Sequence, residues 1–263
     1  MHCRWSGLGS GDVSGSETYA EWDPPAELAA DVRCVWWSSF GGTAPILPDG
    51  HLDLIVGDGR VFIAGPDTTA TVSHHPKGLV VHGIRFRTGR AHRFLGMPTD
   101  ELRDQRVDLA DLWGAEGRIV TERLLADPRR LVSVVASRLA KDPPEPDHEI
   151  DAAIHRLVAQ RPRVADLHAE FGLSERQFRR RFTAAVGYGA ATFLRVLRLQ
   201  RARHLALTNP HAGLANLAYD AGYADQAHMS REIRNLTGTT ATALLRVRSI
   251  QDRPHNGDLR SQP

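Results

Sequence analysis

Apolar residues follow two different periods along the chain, and the change between them divides it into two parts. Over residues 19–94 they form short runs, some of which alternate with polar residues, as in 52–56 and 82–86. A period of two that is interrupted by Gly, Pro and Asp is typical of the short strands of a β-sandwich or barrel. Four segments are predicted as strands, at residues 31–40, 51–59, 60–66 and 78–87.

A helical period replaces this alternation in the second half of the chain. A short helix is predicted at 92–104 and a long helical stretch at 115–139. Beyond a proline-containing segment, seven more helices are predicted, near residues 148–160, 164–171, 174–186, 190–208, 214–221, 225–236 and 240–247. The pattern therefore predicts an α+β multidomain chain with a β-rich first part and an all-α second part.

The segment 164–182 occurs a second time from Leu214 onward. Leu167 and Gly172 correspond to Leu217 and Gly222 at an offset of 50, whereas later positions correspond at an offset of 51: Phe178 with Met229, Phe182 with Ile233, Gly187 with Gly238 and Arg195 with Arg246. Each copy reads as an apolar helix, a glycine turn and a second apolar helix, which is the pattern of a helix-turn-helix. One chain is thus expected to carry two such units, with one residue inserted in the second turn.

The second helix of the first copy has the strongest chemical pattern. Phe178 and Phe182 lie one turn apart and should face a core. Ser174 fits an N-cap, and Gln177 three residues later completes a capping box. Three arginines lie on the opposite side: Arg176, Arg179 and Arg180. Such side chains suit contacts with phosphate and guanine.

Charge separates the two parts of the chain as well. The net charge of +2 combines 16 Lys and Arg against 20 Asp and Glu in residues 1–146 with 17 against 11 in residues 147–263. Between Ser174 and Arg203 there are eight arginines and one acid, Glu175. A solvated helix face normally mixes both signs, so this bias favours nucleic-acid contact over the simpler explanation.

These patterns give a domain plan and a cellular setting. Residues 1–18 and 249–263 are predicted to be disordered, 19–140 to form a β-rich sensor or dimerisation domain with trailing helices, 141–147 a linker, and 148–248 the DNA-binding domain. No apolar run reaches membrane length and no secretory signal is recognisable, so a cytoplasmic protein without a membrane partner is expected. Two cysteines are too few for a disulfide framework.

Candidate chemistry in the first part is weaker. Five histidines there match no metal-ligand spacing, so no metal and no cofactor is predicted: His51, His74, His75, His82 and His92. Asp49-Gly50 is a tight-turn pair, and no catalytic motif occurs, so the chain is not expected to be an enzyme. A candidate effector pocket is formed by Trp22, Trp36, Trp37 and His82, although the tryptophans equally suit the core of a small sheet. Trp36 and Trp37 are adjacent in a strand and should face opposite sides.

Residues 148–248 resemble the DNA-binding domain of AraC/XylS-type transcription regulators. The matching positions include Gly172-Leu-Ser174, Phe178-Arg-Arg-Arg-Phe182, Gly187, Gly222-Tyr223, Asp225-Gln226 and Leu236-Thr-Gly238. The resemblance implies DNA contact by the residues Ser174, Arg176, Gln177, Arg179, Arg180, Asp225, Gln226, His228, Arg231 and Arg234. Ala227 and Glu232 make the second recognition helix less basic, which predicts weaker binding by the second unit.

The first part, from about Tyr19 to Gly114, resembles an uncharacterised β-rich domain that is often fused to such regulators, with marks such as Leu47-Pro48-Asp49-Gly50 and Gly65-Pro66. In better-known relatives the equivalent domain is cupin-like, binds an effector and helps dimerisation. The resemblance therefore implies promoter DNA and a small effector as partners, with RNA polymerase and a second copy of the chain as further candidates. Two alternatives stay open: a first domain that only dimerises, and a DNA alkylation-repair relative, which the low cysteine count disfavours.

Overall fold

The computed structural model describes residues 18–39, 41–76, 78–141, 143–160 and 164–246. Within these residues the strands of the first domain are β1 (Thr18–Trp22), β2 (Val32–Ser39), β3 (Gly42–Ile46), β4 (Asp53–Gly57), β5 (Arg60–Ala64), β6 (Thr71–His75), β7 (Val80–Phe86) and β8 (Arg106–Asp108). Its described α-helices are α1 (Ala91–Leu95), α2 (Leu109–Ala126) and α3 (Leu131–Leu139). Short 3-10 turns lie at Ala26–Leu28, Thr99–Leu102 and Pro128–Arg130.

The strands form two antiparallel sheets that make a β-sandwich-like domain. Six strands pair in the order β1-β2-β7-β4-β5-β8, and β3 pairs with β6 in a separate two-stranded sheet. Within the large sheet Val35 pairs with Ile84, and Leu54 pairs with both Ile84 and Ile63. Because successive side chains point to opposite faces, these residues all lie on one face of the sheet.

That face of the large sheet forms the core of the first domain. Its apolar side chains pack against α1, α2 and α3, and the fully buried members include Leu54, Ile63, Ile84, Phe86, Phe94, Leu109 and Leu124. The stacked rings of Phe86 and Phe94 have centroids 5.0 Å apart and join β7 to α1. The helices of the first domain are thus part of its core. The opposite face of the large sheet is turned toward the small sheet and a cavity.

The described part of the second domain is helical, with α4 (His148–Gln160), α5 (Val164–Glu170), α6 (Glu175–Val186), α7 (Ala190–Thr208), α8 (Leu214–Ala221), α9 (Gln226–Thr237) and α10 (Ala241–Arg246). They enclose two separate apolar cores. Helices α4 to α6 and the first half of α7 surround one, with Phe178, Phe182 and Phe193. The second half of α7 and helices α8 to α10 surround the other, with Met229 and Ile233. Helix α7 therefore joins two units and belongs to both.

The helices of the second domain lie close to their predicted positions, whereas only some of the strands of the first domain were predicted. The helix expected at 115–139 is two helices, because Pro128 cannot continue the hydrogen-bond ladder and Asp127 caps the new turn by accepting the Arg129 N–H. Strands β1, β3, β6 and β8 were not predicted, and Thr18, expected in a disordered segment, begins β1. Residues 1–17 and 249–263, also predicted to be disordered, lie outside the described residues. In the described segments no helix has the length and apolar character that a bilayer crossing requires.

Candidate nucleic-acid interface and the adjoining cavity

The sequence repeat corresponds to a structural repeat. Leu167 and Leu217 are buried at equivalent places in α5 and α8, and the glycines that follow both have a positive φ, 65° at Gly172 and 91° at Gly222. The Leu173 N–H then donates to the His168 carbonyl, as the Tyr223 N–H does to the Ala218 carbonyl. The two helix-turn-helix units thus share their turn geometry, and the extra residue of the second turn lies between Tyr223 and the next N-cap.

Helix α6 is the second helix of the first unit, and its start is fixed by a capping box. The Gln177 N–H donates to Ser174 Oγ at 3.3 Å, and the Ser174 N–H donates to Gln177 Oε1 at 3.0 Å. Phe178 and Phe182 are buried beneath the helix with ring centroids 5.5 Å apart. The capping box predicted from the sequence is confirmed. It directs the side-chain oxygen of Gln177 back toward Ser174.

The arginines between Ser174 and Arg203 fall into two groups. Five have structural partners: Arg181 pairs with Asp147 and Glu149, Arg195 and Arg198 with Glu232, Arg201 donates to the Val158 carbonyl, and Arg203 to Gln200. The other three are exposed on α6 and have no ion pair with any described residue: Arg176, Arg179 and Arg180. The raw excess of arginine in the sequence therefore overstates the free positive charge, which is concentrated on one helix face.

Helix α9 is the corresponding helix of the second unit. Asp225 caps it, since Asp225 Oδ1 accepts the His228 N–H at 2.6 Å. Gln226, Arg231 and Arg234 are exposed. The His228 ring is half-buried: its Nδ1 accepts the Ala224 N–H at 3.3 Å, and its ring packs edge-on to Tyr223. Of the side chains proposed to meet DNA from α9, His228 alone is held by the body of the domain.

Arg181 and Glu232 occupy equivalent positions in α6 and α9, and neither lies on the exposed face. Arg181 Nη2 lies 2.5 Å from Asp147 Oδ1, which ties α6 to the residue before α4. Glu232 is 6% exposed and receives Arg198 Nη2 at 2.5 Å and Arg195 Nε at 3.4 Å from α7. Glu232 is therefore buried against α7, and weaker DNA binding by the second unit stays a prediction. Both residues set the angle between a recognition helix and its support.

A cavity of about 530 Å³ lies between the two sheets of the first domain. Tyr19, Trp36 and Phe62 line it from the large sheet, and Ile46 and Val72 from the small one. Its size falls within the range of roughly 300–1,000 Å³ that small-molecule sites occupy. Strands β3 and β6, which form one wall of the cavity, were not predicted, whereas Trp36 was among the four predicted pocket residues and does line it.

The four residues predicted to form an effector pocket are divided between the two faces of the large sheet. Trp36 lines the cavity, stacks on Tyr19 with centroids 6.1 Å apart, and donates from Nε1 to Asp53 Oδ1 at 3.1 Å. Trp22, Trp37 and His82 border a much smaller space of about 20 Å³ next to Leu131 and Val132. Trp36 and Trp37 do face opposite sides of the sheet, as their adjacency predicted.

The floor of the cavity is also the surface that meets the second domain. In residues 47–51 and 65–67, side chains that line the cavity alternate with residues that contact the helices. Leu47, Asp49 and His51 line the cavity, whereas the Pro48 carbonyl accepts from Gln200 Nε2 at 2.6 Å. A Cβ on Gly50 would lie 2.9 Å from the Phe193 ring. A single layer of chain therefore separates the cavity from α7.

The second part of this floor contacts the ends of both recognition helices. Gly65 and Asp67 line the cavity, and Pro66 between them packs on Gly187, the residue that ends α6. A few residues later the Ala70 N–H donates to the Leu236 carbonyl near the end of α9, at 2.7 Å. Residues 65–70 thus connect the cavity wall to both helix-turn-helix units.

Tyr188 follows Gly187 and is buried in the interface between the domains. Its hydroxyl lies next to Gly50 and has no hydrogen-bond partner in the described part of the chain. Burial, with the charges of Asp49, Asp67 and Asp104 adding to it, raises the pKa of Tyr188 well above its usual value, so the phenol is neutral. The sequence resemblance did not single out this residue.

Two histidines of the first domain have contacts with neighbouring oxygen atoms. His51 Nδ1 lies 3.1 Å from the Phe86 carbonyl and His74 Nδ1 lies 2.9 Å from Thr43 Oγ1. Within the described ranges no group of three or more His, Cys, Asp or Glu side chains is arranged to hold a metal ion.

Comparison with known proteins gives matches for both domains. Residues 167–246 match a family described as a helix-turn-helix domain, and residues 20–108 match a domain of unknown function (DUF6597). A search of curated proteins found no significant match.

Similar solved structures include two of ToxT from Vibrio cholerae. One shares 10% identity over 88% of this chain and 97% of that chain, with a TM-score of 0.41. The other, with an unsaturated fatty acid bound, shares 10% identity over 88% and 94%, with a TM-score of 0.38. The AraC-like transcriptional activator CuxR shares 14% identity over 65% of this chain and 74% of that chain, with a TM-score of 0.21.

The family matches agree with the geometry of both domains. The helix-turn-helix match runs from Leu167 in α5 to the end of α10, and the other match covers the two sheets. The second domain of this chain therefore matches a helix-turn-helix family, and the first domain matches a family of unknown function.

Proposed function

We propose that this protein is a sequence-specific transcription regulator whose first domain binds a small effector and thereby controls how the second domain binds promoter DNA. Arg176, Arg179 and Arg180 of α6 contact the DNA first, together with Gln226, Arg231 and Arg234 of α9. Ser174, Gln177 and Asp225 hold the starts of the two helices. The proposal needs no catalytic step.

The DNA side of the proposal rests on the free charge of the two helices. Exposed guanidinium groups without internal partners retain their full positive charge for phosphates and for the O6 and N7 atoms of guanine. Each phosphate contact should contribute roughly 0.9 to the negative slope of log affinity against log salt concentration. Two recognition helices on one rigid support are expected to read two motifs about one helical turn apart.

The effector side rests on one observation, the shared floor between the cavity and the helices. Asp49 and Asp67 line the cavity, while their neighbours Gly50 and Pro66 contact Phe193 and Gly187. A ligand that moves this floor by a few tenths of an ångström also moves the ends of α6 and α9, because packed interfaces do not deform independently of their neighbours. Ligand binding and DNA binding are therefore expected to be coupled.

The first test is genome-wide mapping of bound DNA, followed by salt-titrated binding to the strongest site. A defined site with two motifs supports the proposal, and the absence of any preferred sequence would contradict it. The triple variant Arg176→Ala, Arg179→Ala, Arg180→Ala should lose binding, whereas Arg129→Ala, an exposed arginine of the first domain, should keep it. A thermal-shift screen with metabolites then tests the effector, since a ligand of the native state raises the midpoint.

The dimerisation-only alternative gives a different result in that screen. It predicts that no ligand raises the midpoint or changes DNA affinity, while the chain is dimeric in solution. An effector sensor predicts both a raised midpoint and an altered DNA affinity with the same compound.

A further inference from the structure

The cavity of the first domain has an uneven charge. Its lining includes five aspartates and three arginines, namely Asp49, Asp53, Asp58, Asp67 and Asp104 with Arg60, Arg85 and Arg106. The other titratable lining groups are Tyr19, His51 and His74. Burial lowers the pKa of His51, against the opposing effect of Asp49, so this ring is neutral at pH 7. The described lining therefore has a net negative charge.

All three arginines of the lining are already neutralised by carboxylates. Arg85 donates from Nε and Nη2 to both oxygens of Asp53, each at 3.1 Å, and Arg106 holds Asp67 at 2.6 and 2.8 Å. Arg60 pairs at 2.8 Å with Asp108, which is not part of the lining. An anionic ligand would have to displace one of these carboxylates and leave it unpaired beside the others, which is costly in a buried site.

Part of the surplus negative charge lies at the floor, on Asp49. Asp49 shares Arg85 with Asp53 at a longer distance of 3.4 Å, and its other contact is the backbone N–H of His51 at 3.0 Å. Burial disfavours the ionised form of Asp49, but Arg85 and His51 together outweigh it, so the pKa of Asp49 lies below its usual value. The carboxylates of Asp49 and Asp53 are thus both paired with the single guanidinium of Arg85. The unpartnered hydroxyl of Tyr188 lies at the same floor, beside Gly50.

Aromatic side chains stand next to Asp53, the carboxylate that shares Arg85 with Asp49. Trp36 stacks on Tyr19, and its Nε1 donates to Asp53 Oδ1, so the carboxylate and the two rings lie on the same face of the sheet. Phe62 adds a third ring to the lining. Electron-rich ring faces beside carboxylates attract ammonium and guanidinium groups and exclude carboxylates. Apolar residues such as Ile46 and Val72 complete the wall on the other side.

We propose that the cavity binds a small organic cation, an amine or guanidine on an apolar or aromatic body, with its charged group between Asp49 and the Tyr19–Trp36 stack. This inference rests on the proposed effector function of the cavity and specifies the class of effector. The cation supplies the positive charge that the lining lacks, and the apolar body fills the space between the sheets. Binding at the floor places the ligand next to the residues that contact α6 and α7.

The test compares probes that differ only in the charge of one group. Thermal midpoints and calorimetric affinities of the full chain are measured at pH 7 with 4-phenylbutylamine, 4-phenylbutanol and 4-phenylbutyrate, and with octylamine, octanol and octanoate. The amines are expected to raise the midpoint and to bind at least about tenfold more tightly than the alcohols, with the carboxylates weakest. Equal or tighter binding by the carboxylates overturns the proposed ligand class.

Two variants place the charge preference in the cavity. Asp49→Asn keeps an oxygen for the His51 N–H but removes the charge, and it should reduce the preference for the amines about tenfold. Asp58→Asn, at an exposed lining position with φ of 52° that asparagine tolerates, should reduce it less without affecting folding. Asp127→Asn lies outside the cavity and is the control. A preference for amines that survives both cavity variants contradicts the assignment.

The outcomes also separate this inference from the proposed function. Binding that is independent of charge, accompanied by altered DNA affinity, removes the cationic class and leaves the effector function intact. If no probe of either series binds, both the ligand class and the effector role of the cavity are contradicted, while the DNA-binding role stands on its own test.

Discussion

Pro66 of the first domain lies directly against Gly187, the residue that ends the first recognition helix. Gly187 has a φ of 94°, and a Cβ built on it would lie 2.3 Å from Pro66 Cγ. The contact allows no side chain at this position, so the helix end and the cavity floor are in van der Waals contact. Gly238 ends the second recognition helix with a similar φ of 70° but has nothing within 4 Å of a built Cβ.

Gly187→Ala should destabilise the chain more than Gly238→Ala. Both variants place an alanine in the left-handed backbone conformation, which lowers the free energy of unfolding by about 1–2 kcal/mol. Gly187→Ala in addition drives a methyl group into Pro66. Urea unfolding of both variants measures the difference, and limited proteolysis of the segment 141–147 detects separation of the domains. Equal losses of stability would contradict the close contact with Pro66.

Arg180→Ala should weaken DNA binding by about 1–3 kcal/mol and leave the unfolding midpoint unchanged, because Arg180 is exposed and has no ion pair with any described residue. Arg181→Ala is the matched neighbour and should mainly reduce stability, since Arg181 holds Asp147 and Glu149. Salt-titrated binding against a set of single-base variants of the site distinguishes the roles of Arg180. A loss confined to one base position indicates base reading, and a uniform loss indicates a phosphate contact.

Glu232→Ala should cost about 3–5 kcal/mol of stability, because it leaves Arg198, which is largely buried, without its carboxylate. If the chain remains folded, recognition of the second DNA motif should be lost before that of the first. Glu175→Ala changes an exposed carboxylate in the first turn of α6 and serves as the control. A Glu232→Ala variant of unchanged stability would show that the pairing with α7 is dispensable.

Gly83→Ala should close the cavity. The Trp36 indole lies over Gly83, and a Cβ there would be 2.2 Å from the indole Cε2, so the ring must move away from the sheet. We expect a loss of about 1–3 kcal/mol in stability and loss of amine binding. Gly213→Ala, which has open space around a built Cβ, is the control. Amine binding that persists in Gly83→Ala would indicate that the ligand does not occupy the space beside Trp36.

Stability should fall as the pH is lowered below about 6.5. Burial lowers the pKa values of His51, His82 and His92, so the unfolded chain binds protons that the native chain does not. Each such histidine contributes at most about 1.4 kcal/mol per pH unit between the unfolded and folded pKa values. Urea unfolding from pH 7.5 to 5 should show a smaller slope for His51→Asn, whose amide can still donate to the Phe86 carbonyl, than for the exposed control His74→Gln.

The helix-turn-helix units were predictable because their information is local. Gly172 and Gly222, the N-caps Ser174 and Asp225, and the apolar pairs at four-residue spacing each fix a turn or a helix face within a few residues. The orientation of Glu232 could also have been found: it lies three residues after Met229 and four before Leu236, which places it on the buried stripe. Its partner Arg198 lies on another helix, which the repeat pattern does not reveal.

The cavity could not be predicted in the same way. It depends on the pairing of β3 with β6, two short and partly polar strands that are separated by 24 residues and two other strands. Tight turns such as Asp49-Gly50 were recognised, but their contact with Phe193 arises from a domain interface that no local pattern encodes. Trp36 and Trp37 are a further example. That they face opposite sides of β2 was predictable from their adjacency, whereas the cavity or core that each one faces was not.

The alternation of cavity-lining and helix-contacting residues in 47–51 and 65–67 has a consequence for exchanging domains between relatives. In a chimera joined within the segment 141–147, the first domain comes from the donor and its cavity is intact. The recipient's helices are then contacted by the donor's residues at the positions of Pro48, Gly50 and Pro66. Such a chimera would keep the donor's ligand preference, but ligand binding would no longer change its DNA binding. A regulator with new specificity therefore has to take Pro48, Gly50 and Pro66 from the donor of its helices and the cavity-lining residues between them from the donor of its ligand preference.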